Sequence, residues 1–179
     1  MNEYDKIANT YDSLFVDKES KQEDAVTSKL LGNLKGGVID IGCGTGLLVE
    51  IADIPPDDYC GIDPSIRMLD IFKKKHPEYL TFELSFEEFF DGKRTSNFSN
   101  WISLYGSISY VDKGCVELFG KTSMKKFLMF YADDYTPQTY NKTGIHPKFN
   151  KYTQEELRKI FGECCAVYRY NNYFVVQTI

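Results

Sequence analysis

The sequence predicts an α/β fold built on a mostly parallel sheet and closed by an antiparallel hairpin, and three observations predict it. Strand-like and helix-like stretches alternate along almost the whole chain, the pattern of βα units. The run Val-Ile-Asp-Ile at 38–41 opens at once into glycines 42, 44 and 46. A buried strand thus ends in a loop whose backbone can approach a ligand, glycine having no Cβ to hold it off. Two strand-like runs, about 164–170 and 173–178, are separated by Asn171-Asn172, a two-residue hairpin signal.

Residues 4–16 form a first amphipathic stretch. Ser20 and Glu23 have capping-box spacing and predict a helix to about Leu31, closed by Gly32-Asn33. Strand one lies at about 38–42, followed by a helix from Gly46 to about Asp53 and the breaker Pro55-Pro56. Strand two is about 58–62, and Pro64 suits the first turn of the next helix. There Ile66, Leu69 and Phe72 share one face, and Lys73-Lys74-Lys75 complement the negative end of the helix dipole. Strand three is about 79–84, with a second capping box at Ser85 and Glu88. Strand four, 101–104, leads into Tyr105-Gly106-Ser107, a short helix around 113–119 and strand five at 126–131. Residues 132–152 show no clear period, and Thr153 with Glu156 caps a last helix carrying Leu157, Ile160 and Phe161 inward.

At 179 residues the chain suits a single domain, 1–179, with no repeat or linker. Its 42% hydrophobic and 26% charged residues are the composition of a soluble globular protein. No apolar run approaches the roughly 20 residues that span a bilayer, and the start, Met-Asn-Glu-Tyr-Asp-Lys, is unlike a targeting segment. Five cysteines (43, 60, 115, 164, 165) without a CxxC pair argue for reduced thiols, a cytoplasmic setting, and neither a metal site nor a disulfide framework. The net charge of −5 argues against broad nucleic-acid binding. Six lysines (121, 125, 126, 142, 148, 151) nevertheless face only Asp133 and Asp134 within 121–151. That lobe reads either as solvated surface or as a docking face for an anionic small molecule. Nothing marks an oligomeric state.

The glycine loop has GxGxG spacing, with Leu47 where a dinucleotide fingerprint requires its third glycine, and it lacks the Lys-Ser/Thr of a P-loop. The strand–acid–GxGxG stretch Val-Ile-Asp-Ile-Gly-Cys-Gly-Thr-Gly, the second acid in Tyr-Cys-Gly-Ile-Asp-Pro and the loop after strand four resemble the class I S-adenosylmethionine-dependent methyltransferases. The resemblance runs over nearly the whole chain, including the N-terminal Tyr-Asp-Lys-Ile-Ala-Asn-Thr-Tyr-Asp and the closing hairpin. It implies a Rossmann-like methyltransferase fold: a seven-stranded, mostly parallel sheet with a C-terminal antiparallel hairpin and helices on both faces. It also implies S-adenosylmethionine as cofactor, S-adenosylhomocysteine as product, a helical lid over residues 1–35 and a substrate loop over 132–152.

The same resemblance assigns roles. Asp63 would accept both ribose hydroxyls, while Gly42, Cys43, Gly44 and Gly46 bring backbone to the methionine portion and ribose. Asp40 would hold the cofactor's ammonium directly or through water, or cap the loop. The Leu104 carbonyl would hold the same ammonium, and Tyr11 would reach the carboxylate end. Ser85 stands where the family often places an acid for the adenine amino group. It is explained as a helix cap, which leaves adenine to the Phe86 backbone and to apolar packing from Ile62, Met68 or Phe86; Pro64 and Tyr105 complete the cofactor set. The start of strand four, Phe98-Ser99-Asn100, also lacks a common family Asp.

A sulfonium carries an already activated methyl group, so alignment, exclusion of water and, where needed, removal of a proton suffice. A strong catalytic signature is not required, and none is present. Asn-Pro-Pro-Tyr, Asp-Pro-Pro-Tyr and Pro-Cys are all absent, which disfavours the adenine-N6, glutamine-N5 and cytosine-C5 branches. Leu104 to Tyr110 resembles the corresponding loop of small-molecule N-methyltransferases, including those acting on amino groups of nucleotide sugars. The catalytic candidates are Tyr105, lining the methyl channel, Tyr110, and His146 as a general base. Packing is the competing reading for Tyr110, and simple exposure for His146. Tyr131, Tyr135, Tyr140, Phe149 and Tyr152 either pack the 132–152 segment or cover the site. The leading expectation is methyl transfer to N or O of a small molecule. The alternatives are a catalytically silent cofactor-binding partner or regulatory subunit, and a methyltransferase for nucleic acid or protein.

Overall fold

The computed structural model describes residues 2–91, 98–137 and 142–178. The N-terminal stretch is not one helix. It is a 3-10 turn at Glu3–Lys6, a single helical turn α1 at Ala8–Tyr11 and a second 3-10 turn at Asp12–Phe15. Its polar side chains turn back on the backbone. The Thr10 hydroxyl donates to the Ile7 carbonyl at 3.1 Å and Ser13 to the Thr10 carbonyl at 2.6 Å, a local competition that weakens continuous helix. Helix α2, Lys18–Leu31, starts earlier than the Ser20–Glu23 spacing predicts. Asp17 is its cap, its carboxylate accepting from the Ser20 amide at 2.8 Å.

Strand β1 (Gly37–Ile41) is followed by α3 (Leu47–Ile51), β2 (Tyr59–Asp63) and α4 (Ile66–Lys75). Ser65, not Pro64, introduces α4, its hydroxyl accepting from the Met68 amide; Pro64 lies one residue before the cap. Then come β3 (Leu80–Glu83), α5 (Phe86–Asp91), β4 (Phe98–Ser103), α6 (Lys113–Gly120) and β5 (Lys125–Tyr131). Helix α7 (Gln154–Phe161) leads to the hairpin β6 (Cys165–Tyr170) and β7 (Tyr173–Thr178), with Asn171 at φ 49 in the turn. The capping boxes expected at Ser85/Glu88 and Thr153/Glu156 are both formed.

The seven strands form one sheet in the order β3-β2-β1-β4-β5-β7-β6. Strands β1 to β5 run parallel, and β7 is antiparallel to both β5 and β6. The central strands are buried on both faces, which is why they read as apolar runs. Alternate residues serve the two faces. Ile39, Ile41, Trp101, Leu128 and Phe130 pack under α5, α6 and α7, through Phe86, Phe119, Leu157 and Phe161. Val38, Ile102, Phe127 and Met129 pack under α2, α3 and α4, through Leu31, Leu48, Leu69 and Phe72. The chain order reverses beside β1, with β2 on one side and β4 on the other. In open α/β sheets, ligands bind in the crevice beyond the strand ends at such a point.

Among the described residues no helix is long and apolar enough to cross a membrane, and no group of His, Cys, Asp and Glu could hold a metal ion.

Candidate active site

The glycine loop and the loop after β4 meet at the switch point. A Cβ on Gly42 would lie 2.5 Å from the Ser107 Cβ, so glycine is what lets the two loops touch. The β4 loop is itself contorted, Tyr105 and Gly106 both lying at positive φ (47 and 90). A Cβ on Gly106 would collide with the Tyr131 ring. Tyr105, strained as a non-glycine residue there, is held by its hydroxyl, which donates to Asp24 at 2.7 Å and lies 3.1 Å from the Thr27 hydroxyl, from which it can accept.

Asp63 ends β2 and is fixed by the backbone. Its two carboxylate oxygens accept from the Gly44 amide at 3.0 Å and the Ser65 amide at 2.8 Å. Each oxygen keeps a further lone pair for a ligand hydroxyl. Burial, with a smaller contribution from Asp5, pushes this carboxyl up to about 6, against the pull of the two amides. Asp5 anchors the N-terminal segment to the same corner, accepting from the Ser65 hydroxyl at 2.7 Å and the Arg67 amide at 3.3 Å.

These elements enclose a cavity of about 110 Å³. Of the residues expected at the site, Tyr11, Gly42, Gly44, Asp63, Pro64, Met68, Tyr105 and Tyr110 line it. Asn2, Tyr4, Ser107 and Tyr131 line it too. The hydroxyls of two of these lining residues, Tyr4 and Tyr110, lie 2.9 Å apart. A Cβ on Gly44 would meet nothing within 4 Å, so the loop leaves open space where a ligand can lie.

The side chains of the other expected residues are engaged elsewhere. Asp40 is 2% exposed and accepts from the Tyr59 hydroxyl at 2.8 Å; burial pushes it up to about 7. Cys43 packs against Gly61, and burial drives its thiol well above the usual range, which leaves it inert. Gly46 is needed for packing, since a Cβ there would lie 2.7 Å from His76 Cδ2. Ser85 caps α5 through Glu88, Phe86 stacks on Phe90 in the core, and Leu104 is buried with the α2–α4 layer. His146 is exposed and lines neither this cavity nor the one beside it. Tyr152 follows the packing alternative, 1% exposed and packed on Phe130. Tyr140 lies outside the described residues.

The lysine lobe is not one face. Lys126 is buried, its ammonium donating to the Thr122 and Met124 carbonyls at 2.8 Å. Lys142 donates to the Leu14 carbonyl and Lys151 to that of Asp133.

A second cavity, about 340 Å³, shares Tyr11, Tyr105 and Tyr131 as a wall with the first. Its floor includes Tyr135 and Tyr173, and α2 contributes Glu23 and Asp24. Nothing in the local sequence separates these two acids from a solvated helix face.

A mostly parallel sheet of this strand order, with β7 alone reversed and a glycine loop at the switch point, is the fold of the class I S-adenosylmethionine-dependent methyltransferases. Solved structures bear this out. A Thermotoga maritima protein described as a SAM-dependent methyltransferase, possible histamine N-methyltransferase, superposes with a TM-score of 0.67 at 15% identity, covering 98% of this chain and 96% of that one. DhpI, solved with S-adenosylhomocysteine (SAH), gives 0.67 at 18% identity over 97% and 90% of the two chains. The magnesium protoporphyrin IX methyltransferase of Synechocystis, solved with bound SAM, gives 0.55 at 18% identity over 88% and 79%. No family model matches the chain. An uncharacterized protein of Methanocaldococcus jannaschii is 33% identical over 110 residues, which cover 60% of this chain and 40% of that protein.

Proposed function

We propose that the chain is a methyltransferase that uses S-adenosylmethionine to methylate nitrogen or oxygen of a small molecule. The observation that carries this reading is Asp63, locked by the Gly44 and Ser65 amides in a cavity that it lines together with the glycine loop. The residues fit such a cofactor. A carboxylate with free lone pairs suits a ribose diol, Gly44 leaves room for the ligand, and buried Met68 offers an apolar edge for a base. The bound sulfonium supplies an activated methyl group.

The protein's own residues then bind and shield. Asp63 accepts the ribose hydroxyls, the Gly42–Gly44 backbone lies against the ligand, and Tyr4 with Tyr110 shields it from water. Tyr11 and Tyr105 line both cavities and so border the path between donor and acceptor. Tyr105 serves as a hydrogen-bond donor to Asp24; burial pushes its hydroxyl far above neutrality, which removes it as a base. An acceptor of small size is supported by the second cavity, whose volume of about 340 Å³ falls at the low end of the roughly 300–1,000 Å³ usual for small-ligand sites. The names of two neighbours, a possible histamine N-methyltransferase and a magnesium protoporphyrin IX methyltransferase, point the same way.

Calorimetry with S-adenosylhomocysteine on wild type and Asp63→Ala tests the reading. Loss of two hydrogen bonds to a charged acceptor, ~1.5–3 kcal/mol each, predicts an affinity drop of about 100-fold or more. Unchanged affinity would remove Asp63 from the site. Cofactor binding with no S-adenosylhomocysteine formed from S-adenosylmethionine across a broad acceptor panel would point instead to a silent binding subunit.

A further inference from the structure

The larger cavity carries information about what the protein methylates, through its charge and its walls. Four carboxylates line it, Asp12, Glu23, Asp24 and Glu50, against two lysines, Lys21 and Lys75. Lys75 is already engaged, 3.1 Å from Asp12 and 2.5 Å from Glu50. Glu23 and Asp24 have no ion pair among the described residues, with Lys21 or any other cation. Their partners are neutral: the Asn171 side-chain amide donates to Glu23 at 2.8 Å and the Tyr105 hydroxyl to Asp24 at 2.7 Å.

We propose that this cavity takes an amine as the methyl acceptor, bound as its ammonium ion between tyrosine faces and the Glu23 and Asp24 carboxylates. The inference rests on the methyltransferase reading above and names the acceptor class.

The walls match that charge. Tyr105, Tyr131, Tyr135 and Tyr173 form a continuous aromatic surface, with centroids 5.6 Å apart for Tyr105–Tyr173, 5.8 Å for Tyr131–Tyr173, 5.7 Å for Tyr131–Tyr135 and 6.2 Å for Tyr135–Tyr173. Aromatic faces attract cations through the ring quadrupole, more strongly when water is excluded. Burial is the main influence holding both carboxyls above their ordinary values, while the neutral hydrogen bonds work the other way. Two neighbouring carboxylates partly removed from water, with only neutral donors, lower their energy by taking up a cation. An anionic acceptor would meet two uncompensated negative charges here, which reverses the preference suggested by the lysine lobe.

The same pair accounts for the proton. An ammonium nitrogen has no lone pair, so it must first give a proton, and the Asp24 carboxylate is placed to receive it. The freed lone pair then forms the N–C bond as the methyl–sulfur bond breaks, its electron pair remaining on sulfur. The products are a protonated N-methylamine and a neutral thioether, and charge is conserved.

Three probes of one shape test this by calorimetry, with and without saturating S-adenosylhomocysteine: 2-phenylethylamine, 2-phenylethanol and 3-phenylpropionate. The amine is expected to bind at least about tenfold more tightly than the alcohol, with the carboxylate weakest. The double variant Glu23→Gln/Asp24→Asn should bring amine affinity down to that of the alcohol while S-adenosylhomocysteine affinity stays within about twofold. Equal binding of amine and alcohol, preference for the carboxylate, no binding of any probe, or an amine affinity untouched by the double substitution would each overturn the proposal. If the double variant does not fold, the three-probe comparison on the wild-type chain decides. Failure to bind S-adenosylhomocysteine would instead refute the methyl-donor reading, because the amine preference is read separately on cofactor-free protein.

Discussion

Replacing Asp40 by asparagine should make the cofactor-free protein more resistant to unfolding at alkaline than at acidic pH, relative to wild type. Asp40 is 2% exposed and has the Tyr59 hydroxyl as its hydrogen-bond donor. Burial raises its carboxyl from 3.8 to about 7, a rise that Asp63 enlarges and Tyr59 opposes. An acid whose ionisation is suppressed in the fold binds more protons folded than unfolded between those two values, so its contribution to stability is lost as pH rises through that window. At ~1.36 kcal/mol for each pH unit between the midpoints, ionised Asp40 costs the fold about 4 kcal/mol above pH 7. Between pH 5 and pH 8 the linkage relation gives a loss of about 3 kcal/mol. Asparagine cannot ionise, and its amide oxygen can still accept from Tyr59. Urea unfolding of both proteins at the two pH values isolates Asp40 together with its coupling to Asp63, since titrations that do not sense Asp40 cancel in the difference. The variant's stability relative to wild type should rise by about 3 kcal/mol from pH 5 to pH 8. A difference constant within about 0.5 kcal/mol would refute the claim that Asp40 is held in a poorly solvated site.

Asp63 makes the cofactor site sensitive to acid. With its carboxyl at about 6, S-adenosylhomocysteine affinity should be flat above pH 7 and fall by up to about tenfold per unit below 6, as a proton must leave on binding; calorimetry in buffers of different ionisation enthalpy reads that proton directly, and constant affinity from pH 5 to pH 8 would contradict it. Gly44→Ala separates space from stability. The new Cβ meets no protein atom within 4 Å but sits at φ +54, so urea unfolding should show a cost of about 1 kcal/mol, while affinity for S-adenosylhomocysteine falls about tenfold or more.

The strands were legible because burial on both faces demands nearly continuous apolar runs, as in 38–41, interrupted only by Asp40, and in 127–131. Strand β4 was the exception. It begins at Phe98 rather than Trp101, and its first turn of sequence looks polar because the Asn100 amide is spent on the carbonyls of Lys35, Gly36 and Gly37. The start of α2 was misplaced for a local reason: two acceptors competed for the same helix end, and Asp17 reaches the Ser20 amide. The smaller cavity was half visible, since its floor is the glycine loop and Asp63. Its cover was less so, because Ser107 reaches it only through the close approach at Gly42. The acidic wall of the larger cavity could not be read from the sequence. Glu23 and Asp24 look like the wet side of an amphipathic helix until Asn171 and Tyr105, distant in the chain by 148 and 81 positions, are folded against them.

The chain's one tryptophan lies fully buried on β4, ringed by Phe86, Phe89, Phe90 and Phe119. That cluster belongs to the layer under α5, α6 and α7, and Trp101 lines neither cavity. Its emission is therefore an internal gauge of folding that is insulated from the site. Denaturation curves can be followed through the indole and ligand binding through heat, two optically and chemically independent channels in one unlabelled molecule.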